Sequence, residues 1–177
     1  MKVERNGVAL ELVRGDIASQ DGIDAVVNAA NAQLMPGGGV AGALHRAAGP
    51  GLAEECRPLA PIAPGQAVIT GGHGLPNSFV IHCLGPVWGR DEPAEGLLRS
   101  CYRRALELAE EHGLESVAFP ALSTGAFGYP VREAARAALD EVLGLLPGLA
   151  SVRRIRFTLY GADALDAHRQ ALEQLLG

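Results

Sequence analysis

Short runs of apolar and β-branched residues alternate along this chain with longer segments in which apolar residues recur every three or four positions. The short runs predict strands at residues 8–13, 25–27, 67–69, 79–83, 117–119 and 155–159. The longer segments predict helices at residues 94–112, 131–146 and 162–176. This alternation predicts an α/β fold, a three-layer α/β/α sandwich with a central mixed, partly parallel sheet. A length of 177 residues fits a single domain over residues 1–177.

Two glycine-rich loops are predicted between a strand and the helix that follows it. The first glycine loop lies within residues 28–46 and contains Gly37, Gly38 and Gly39, and the second glycine loop lies within residues 119–130 and contains Gly125 and Gly128. Glycine lets the backbone approach a ligand closely, and a helix N-terminus offers unpaired N–H groups and a partial positive charge. Ligands of α/β sheets bind beyond the carboxyl ends of the strands. Two such loops side by side would therefore present amide donors to one crevice, and a diphosphate is the simplest anion that would use both.

The charge balance narrows the choice of ligand and of chemistry. Fifteen basic and twenty acidic residues give a net charge of −5 without a basic stripe, so we expect no duplex nucleic acid and no membrane surface as a partner. A phosphate ligand must then be held mainly by backbone N–H groups. Lys2 is the only lysine, which argues against a Schiff-base lysine or a phosphate-loop lysine in a pocket.

The cysteine and histidine residues form no familiar catalytic or metal-binding motif. Three cysteines without a C-x-x-C pair, and an N-terminus without the apolar stretch of a signal peptide, lead us to expect a cytoplasmic protein. No segment approaches the ~20 apolar residues that span a bilayer. Zinc spacings and a G-x-S-x-G nucleophile motif are also missing, so we expect neither a metal nor a cofactor. His82 and Cys83 are neighbours on a predicted strand, point to opposite faces and are interpreted as core residues.

A dinucleotide-binding fingerprint, Gly37-x-Gly39-x-x-Gly42, raises the alternative of a hydride-transferring dehydrogenase. The context of the fingerprint does not fit that class. Eight residues separate Asn28 from Gly37, where a tight turn is required. Residues 57–62 carry no acidic side chain to bind a ribose. We therefore do not favour a dehydrogenase.

Five motifs occur together and in one order along the chain. They are Gly15-Asp16-Ile17, Val27-Asn28-Ala29-Ala30-Asn31, Gly37-Gly38-Gly39-Val40, the His-x-x-Gly-Pro of residues 82–86, and Ser123-Thr124-Gly125-Ala126-Phe127-Gly128. With these motifs the chain resembles a macrodomain over nearly all of its length. The resemblance implies a pocket for ADP-ribose, which agrees with the argument from backbone donors.

For the adenine end of the ligand, the resemblance implies three residues near strand ends. The Asp16 carboxylate would accept a hydrogen bond from the adenine amino group, assisted by the Ile17 backbone, and the Tyr160 ring would stack on the base. From the sequence pattern alone, Asp16 would be the N-cap of a helix and Tyr160 a half-buried strand residue.

For the diphosphate and the distal ribose, the resemblance implies residues of both glycine loops. The Asn31 carboxamide would bind the ribose hydroxyls, because it both donates and accepts hydrogen bonds, and Phe127 would pack beside the ribose. Asn28 is expected to tie the first glycine loop together. The complete set is Asn31, Gly37, Gly38, Gly39, Val40, Ser123, Thr124, Gly125, Ala126 and Phe127.

The sequence departs from many hydrolases of the family at one position. Hydrolases of the MacroD type carry Gly-Val-Asp-Gly in the first loop, and their aspartate is assigned the activation of the attacking water, but this chain has Ala41 there. Residues 25–53 and 116–132 contain no acidic side chain that could replace it. We expect the catalytic residues to be those that hold a water near the anomeric carbon, while the substrate's distal phosphate oxygen accepts the proton. They are Asn31, Gly38, Gly39 and Phe127.

We expect an enzyme that removes mono-ADP-ribose from modified proteins, ester-linked at Asp or Glu, or that acts on small ADP-ribose esters. An ester is the easiest leaving group for a site without a strong acid or base. Ala41 favours the alternative, a reader that binds ADP-ribose without turnover. The expected partners are ADP-ribose and mono-ADP-ribosylated proteins, and we expect a monomer. Single-stranded RNA and poly-ADP-ribose are disfavoured because the sequence shows no basic groove.

Overall fold

A seven-stranded mixed sheet runs through the molecule, a computed structural model that describes residues 1–177. The strands are β1 (Lys2–Arg5), β2 (Val8–Arg14), β3 (Ala25–Ala29), β4 (Ala67–Gly71), β5 (Phe79–Cys83), β6 (Ser116–Phe119) and β7 (Arg154–Leu159). Their spatial order is β1-β2-β7-β6-β3-β5-β4. The five inner strands run parallel, whereas β1 and β4 pair antiparallel at the two edges. The predicted mixed, partly parallel sheet is confirmed.

Helices cover both faces of the sheet. They are α1 (Gly39–Ala48), α2 (Pro50–Cys56), α3 (Ala94–Glu111), α4 (Val131–Leu145) and α5 (Ala162–Leu176), with short 3-10 turns at Arg57–Leu59 and Leu146–Gly148. Successive strand residues point to opposite faces. Thus Val27 packs in the core under α3, α4 and α5, whereas Val26 packs in the core under α1 and α2. The predicted three-layer α/β/α sandwich is confirmed. None of the five helices combines the length and apolar composition that crossing a membrane requires.

The carboxyl ends of the parallel strands meet at one edge of the sheet, which positions the site. Going across the sheet, this edge carries the segment after β2, the residue after β7, the second glycine loop after β6, the first glycine loop after β3 and the segment after β5. The two glycine loops are neighbours because β3 and β6 pair in parallel, with Ala25 opposite Val117. The adjacency on which the diphosphate argument depends is therefore present.

Strand β1 is an element that the sequence analysis missed. Its four residues are mostly exposed and polar, so they lack the apolar run of a strand. It forms a hairpin with β2 across Asn6 and Gly7, which both have positive φ, 55° and 76°. An Asn-Gly pair is the strongest short-range signal for such a turn, and it would have revealed the hairpin.

Candidate functional site

A cavity of about 330 Å³ opens at the carboxyl edge of the sheet, where the two glycine loops meet. Its lining comes from residues 29–31 and 37–41 on one side and from residues 121–123 and 125–127 on the other. Gly85, two residues after β5, completes it. The lining holds no ionisable side chain. A ligand in this cavity would therefore meet backbone groups, small side chains and one aromatic ring.

The first glycine loop is held in shape by the Asn31 side chain. Its Nδ2 donates to the Met35 carbonyl at 2.8 Å, and its Oδ1 accepts from the Met35 N–H at 3.0 Å. Asn28, which was expected to tie the loop, lies instead in the core, where its Nδ2 is 3.0 Å from His82 Nδ1. That expectation was wrong, because the parallel register of β3 and β5 sets Asn28 opposite His82.

Helix α1 begins directly behind this loop with nothing to cap it. Gly38 occupies the N-cap without a side-chain hydrogen bond, and the first turn carries no acidic residue. None of the backbone N–H groups of residues 37–41 donates a hydrogen bond within the chain. These five donors, together with the positive end of the helix dipole, favour an anion at the cavity wall.

The second glycine loop presents a matching set of donors. It is closed by hydrogen bonds from Tyr129 N–H to the Ser123 carbonyl (2.9 Å) and from Gly128 N–H to the Gly125 carbonyl (3.0 Å). The N–H groups of residues 123–127 have no partner within the chain. Ser123 has a positive φ of 66°, and its buried Oγ also lacks a partner. Thr124 is the member of the predicted set that lies outside the cavity lining, and its Oγ1 donates to the Ala121 carbonyl.

Phe127 lies where the second glycine loop faces the layer of α1 and α2. Its half-buried ring packs against the core under those helices and lines the cavity. Its carbonyl accepts a hydrogen bond of 2.8 Å from the Trp88 N–H. The ring therefore offers a fixed apolar wall opposite α1.

The three residues predicted for adenine lie outside the cavity lining, beyond the ends of β2 and β7. Asp16 and Ile17 follow β2, and Tyr160 follows β7. The parallel pairing of these strands sets their ends side by side, with the Gly15 N–H 3.0 Å from the Leu159 carbonyl. The Tyr160 residue is 88% exposed, so the interpretation as a half-buried strand residue was wrong. Tyr160 lies beyond the end of β7, where no helix covers its ring.

Asp16 begins a turn and not a helix, so its interpretation as a helix N-cap was also wrong. Its Oδ1 accepts from the Ala18 N–H at 2.9 Å, and its carbonyl accepts from the Ser19 N–H at 3.0 Å. Residues 17–18 and 21–22 form turns, and no helix follows. Asp16 is exposed and Ile17 is buried.

Two buried histidines with lowered pKa values lie on α1 and β5, elements that adjoin the cavity-lining segments. Ala41 is 5% exposed and lines the cavity, and His45 lies one turn further along α1. Burial lowers the pKa of His45, and neither ring nitrogen has a partner within the chain. Burial, with a smaller effect of His45, lowers the pKa of His82 to about 3. No cluster of three or more His, Cys, Asp or Glu side chains is arranged to hold a metal ion.

Several small residues line the cavity without having been predicted from the sequence. They are Ala29, Ala30, Ala41, Gly85, Ala121 and Leu122. Gly85 stands where an added Cβ would collide with Ser123 Oγ. Its place two residues after a predicted strand was the signal that could have indicated it, since strand ends carry the ligand contacts of α/β sheets.

Comparison with known proteins gives consistent matches. A family model described as Macro domain matches residues 27–138. The chain is 45% identical over 168 residues to the macro domain-containing protein CT2219 of Chlorobaculum tepidum, covering 94% of this chain and 97% of that protein. It is 41% identical over 170 residues to a protein of Enterobacter cloacae named O-acetyl-ADP-ribose deacetylase, covering 93% and 94%.

The solved structures show the same architecture. The macrodomain of Oceanobacillus iheyensis with ADP superposes with a TM-score of 0.95 at 38% identity, covering 99% of this chain and 96% of that one. A mutant of the same macrodomain has been solved with ADPR.

Proposed function

Because the chain belongs to the macrodomain family, we propose that it binds ADP-ribose along the carboxyl edge of its sheet. One observation carries the proposal: two adjacent segments that line one cavity each carry five consecutive N–H groups without a partner in the chain, and the cavity lining has no ionisable side chain. Such an arrangement suits a diphosphate, which accepts many hydrogen bonds and is repelled by carboxylates. The solved macrodomain with ADP supports this ligand class.

The proposed ligand spans the edge from β2 to β3. Adenine would lie near the exposed Asp16 and Tyr160, and the diphosphate would lie between the two glycine loops. The distal ribose would then reach Asn31 and Phe127, which line the cavity. To donate to the ribose, Asn31 would share or exchange its two hydrogen bonds with Met35.

We propose further that the chain is a hydrolase for mono-ADP-ribose esterified to Asp or Glu, or for small ADP-ribose esters. Asn31, the Gly38 and Gly39 amides and Phe127 would hold a water beside the anomeric carbon. In the protein-linked case the water oxygen bonds to that carbon, the bond to the ester oxygen breaks and the carboxylate leaves. A phosphate oxygen of the substrate accepts the water proton. Orientation and electrostatic effects can supply large rate factors without a protein base. The relative named O-acetyl-ADP-ribose deacetylase supports an ester substrate.

Ala41 favours a second candidate, a reader that binds ADP-ribose without turnover. A positioned general base contributes about 10²–10⁴-fold to a rate. This cavity offers none, since its lining has no ionisable side chain. His45, one turn beyond Ala41 on α1, is buried and is not part of that lining.

Two measurements on the same protein test both candidates. Calorimetry with ADP-ribose tests binding, and label release from an automodified mono-ADP-ribosylating enzyme tests turnover. Saturable binding with release supports the hydrolase, binding without release over hours establishes the reader, and no binding by folded protein overturns the site.

Variants of the first glycine loop test the mechanism. Asn31→Ala combined with Phe127→Ala should abolish release, because both side chains line the cavity. Gln33→Ala, which changes an exposed amide of the same loop outside the cavity, should not change it. Full turnover by the double variant would contradict the mechanism.

A further inference from the structure

Two exposed aromatic residues stand at opposite sides of the proposed ligand site. Four large apolar side chains are exposed on the whole chain: Met1, Leu59, Trp88 and Tyr160. Tyr160 follows β7 and Trp88 lies in the segment after β5, so both belong to the carboxyl edge of the sheet. Strands β6 and β3 lie between them. The ends of β7 and β5 are three strand spacings apart, roughly 14 Å at ~4.8 Å per strand, and the two glycine loops lie between them.

Trp88 is held firmly although 47% of it is exposed. Its backbone N–H donates to the Phe127 carbonyl at 2.8 Å. Its ring packs against the buried Tyr129 ring, with 4.6 Å between centroids. Asp91 fixes the loop, since its Oδ2 accepts from the Val87 N–H at 2.8 Å. The indole is thus partly packed against Tyr129 and partly open to solvent, and its backbone is bonded to Phe127 of the cavity lining.

ADP-ribose, in the orientation proposed above, leaves Trp88 without a role. The adenine end lies toward Tyr160, and the distal ribose lies at Asn31 and Phe127. In that orientation, any group attached to the distal ribose continues past Phe127. The Phe127 carbonyl is the group that the Trp88 backbone N–H binds. A polypeptide attached there must leave the cavity over its rim, whereas an acetyl group is too small to extend far beyond the ribose.

We propose that Trp88 contacts the acceptor polypeptide of mono-ADP-ribosylated substrates, so that the chain recognises protein-linked ADP-ribose in preference to small ADP-ribose esters. This inference rests on the proposed function and names its substrate class. Tryptophan supplies a large apolar surface with only two side-chain torsions, which makes it a frequent hot spot in binding sites. The packing of Trp88 on Tyr129 reduces the entropy cost further, because the ring is already ordered.

The chain offers a direct readout, because Trp88 is its only tryptophan. Its fluorescence can be followed while the protein is titrated with free ADP-ribose, and separately with a peptide that carries ADP-ribose through a non-hydrolysable linkage. We expect the peptide to shift the emission to shorter wavelength, since it removes water from the indole. Free ADP-ribose should leave the emission wavelength unchanged. Equal shifts from both ligands, or no shift from a bound peptide, would overturn the inference.

Variants give an independent test by calorimetry. Trp88→Ala should lower the affinity for the ADP-ribosylated peptide roughly 10-fold and leave the affinity for free ADP-ribose unchanged. Trp88→Phe should keep most of the wild-type affinity for the peptide. Tyr160→Ala should weaken both ligands by the same factor, because the adenine is common to them. Leu59→Ala, which removes another exposed apolar side chain, should change neither.

The failures of the two proposals are distinguishable. If the wild-type protein does not bind free ADP-ribose, the proposed function fails and this inference fails with it. If ADP-ribose binds but Trp88→Ala affects the two ligands equally, or affects neither, the proposed function stands and Trp88 has no role in acceptor recognition.

Discussion

At the scale of single residues, the side chain at position 41 decides whether the site contains a general base for hydrolysis. It lies in the first turn of α1, where the helix dipole favours a carboxylate, and it lines the cavity. We predict that Ala41→Asp raises the rate of ADP-ribose release from an ester-linked substrate by about 10²–10⁴-fold, because it supplies a general base. It should also weaken binding of ADP-ribose, since the new charge faces a diphosphate. Single-turnover release and calorimetry measure the two effects.

The matched control for this substitution is Ala43→Asp. It adds the same charge to the same helix at a residue outside the cavity lining, so release should stay at the wild-type rate. If Ala41→Asp folds and binds ADP-ribose but releases no faster than Ala43→Asp, the missing aspartate does not limit turnover in this chain.

At the scale of elements, the shape of the first glycine loop depends on its contact with α1. An added Cβ on Gly42 would collide with the Gly37 carbonyl, and the Arg46 guanidinium lies 3.0 Å from the same point. We predict that Gly42→Ala lowers the affinity for ADP-ribose about 10-fold or more. Relieving such overpacking costs about 1–3 kcal/mol, and the loop that carries the ligand donors is the part that must move. Calorimetry with ADP-ribose measures the loss.

Gly144→Ala, in the last turn of α4, is the control for Gly42→Ala. A Cβ there meets no heavy atom within 4 Å. It should stabilise the fold by about 0.5–1 kcal/mol, because alanine loses less backbone entropy in a helix, and ADP-ribose affinity should not change. An unchanged affinity in Gly42→Ala would mean that the loop yields without disturbing its donors.

How far the sequence predicts these elements depends on whether the signal is local. The end of α3 lies within a residue of its prediction, and the buried residues Ala134, Ala135 and Ala138 of α4 follow the three- and four-residue recurrence that predicted the helix, because periodicity and helix stops are local. The burial of Asn28 against His82, which leaves Asn31 to hold the first glycine loop, was not predictable. It depends on the register of β3 against β5, which brings together residues 54 positions apart. The placement of Thr124 outside the cavity lining likewise depends on a turn that the sequence pattern does not specify.

At the scale of the whole molecule, buried histidines make the fold sensitive to acid. Burial lowers the pKa of His45, His82 and His168, that of His82 to about 3. The unfolded chain binds protons at these groups below pH ~6.5, whereas the folded chain binds them only at lower pH. The stability that they contribute is therefore complete above pH ~6.5 and is lost as the pH falls toward their folded-state values.

We predict that the free energy of unfolding falls between pH 6.5 and 4.5, by up to about 1.4 kcal/mol per pH unit for each such group. Below pH 4.5 the free energy of unfolding falls for a second reason. Hydrogen bonds from the N–H groups of residues 150–152 lower the pKa of Glu110 to about 2, so its contribution disappears as the carboxylate is protonated. Urea unfolding at a series of pH values measures both ranges. His82→Gln should flatten the upper range, and a flat wild-type profile there would contradict the argument.

The pairing of β3 with β6 also has a consequence for synthesis. The two glycine loops are encoded some 90 positions apart, with α3 and five other strands or helices between them. A nascent chain that has not yet exposed residue 130 to the cell holds only one of them. The chain can therefore bind ADP-ribose only late in translation, once both loops are present. Prematurely terminated fragments cannot compete with the finished protein for this ligand.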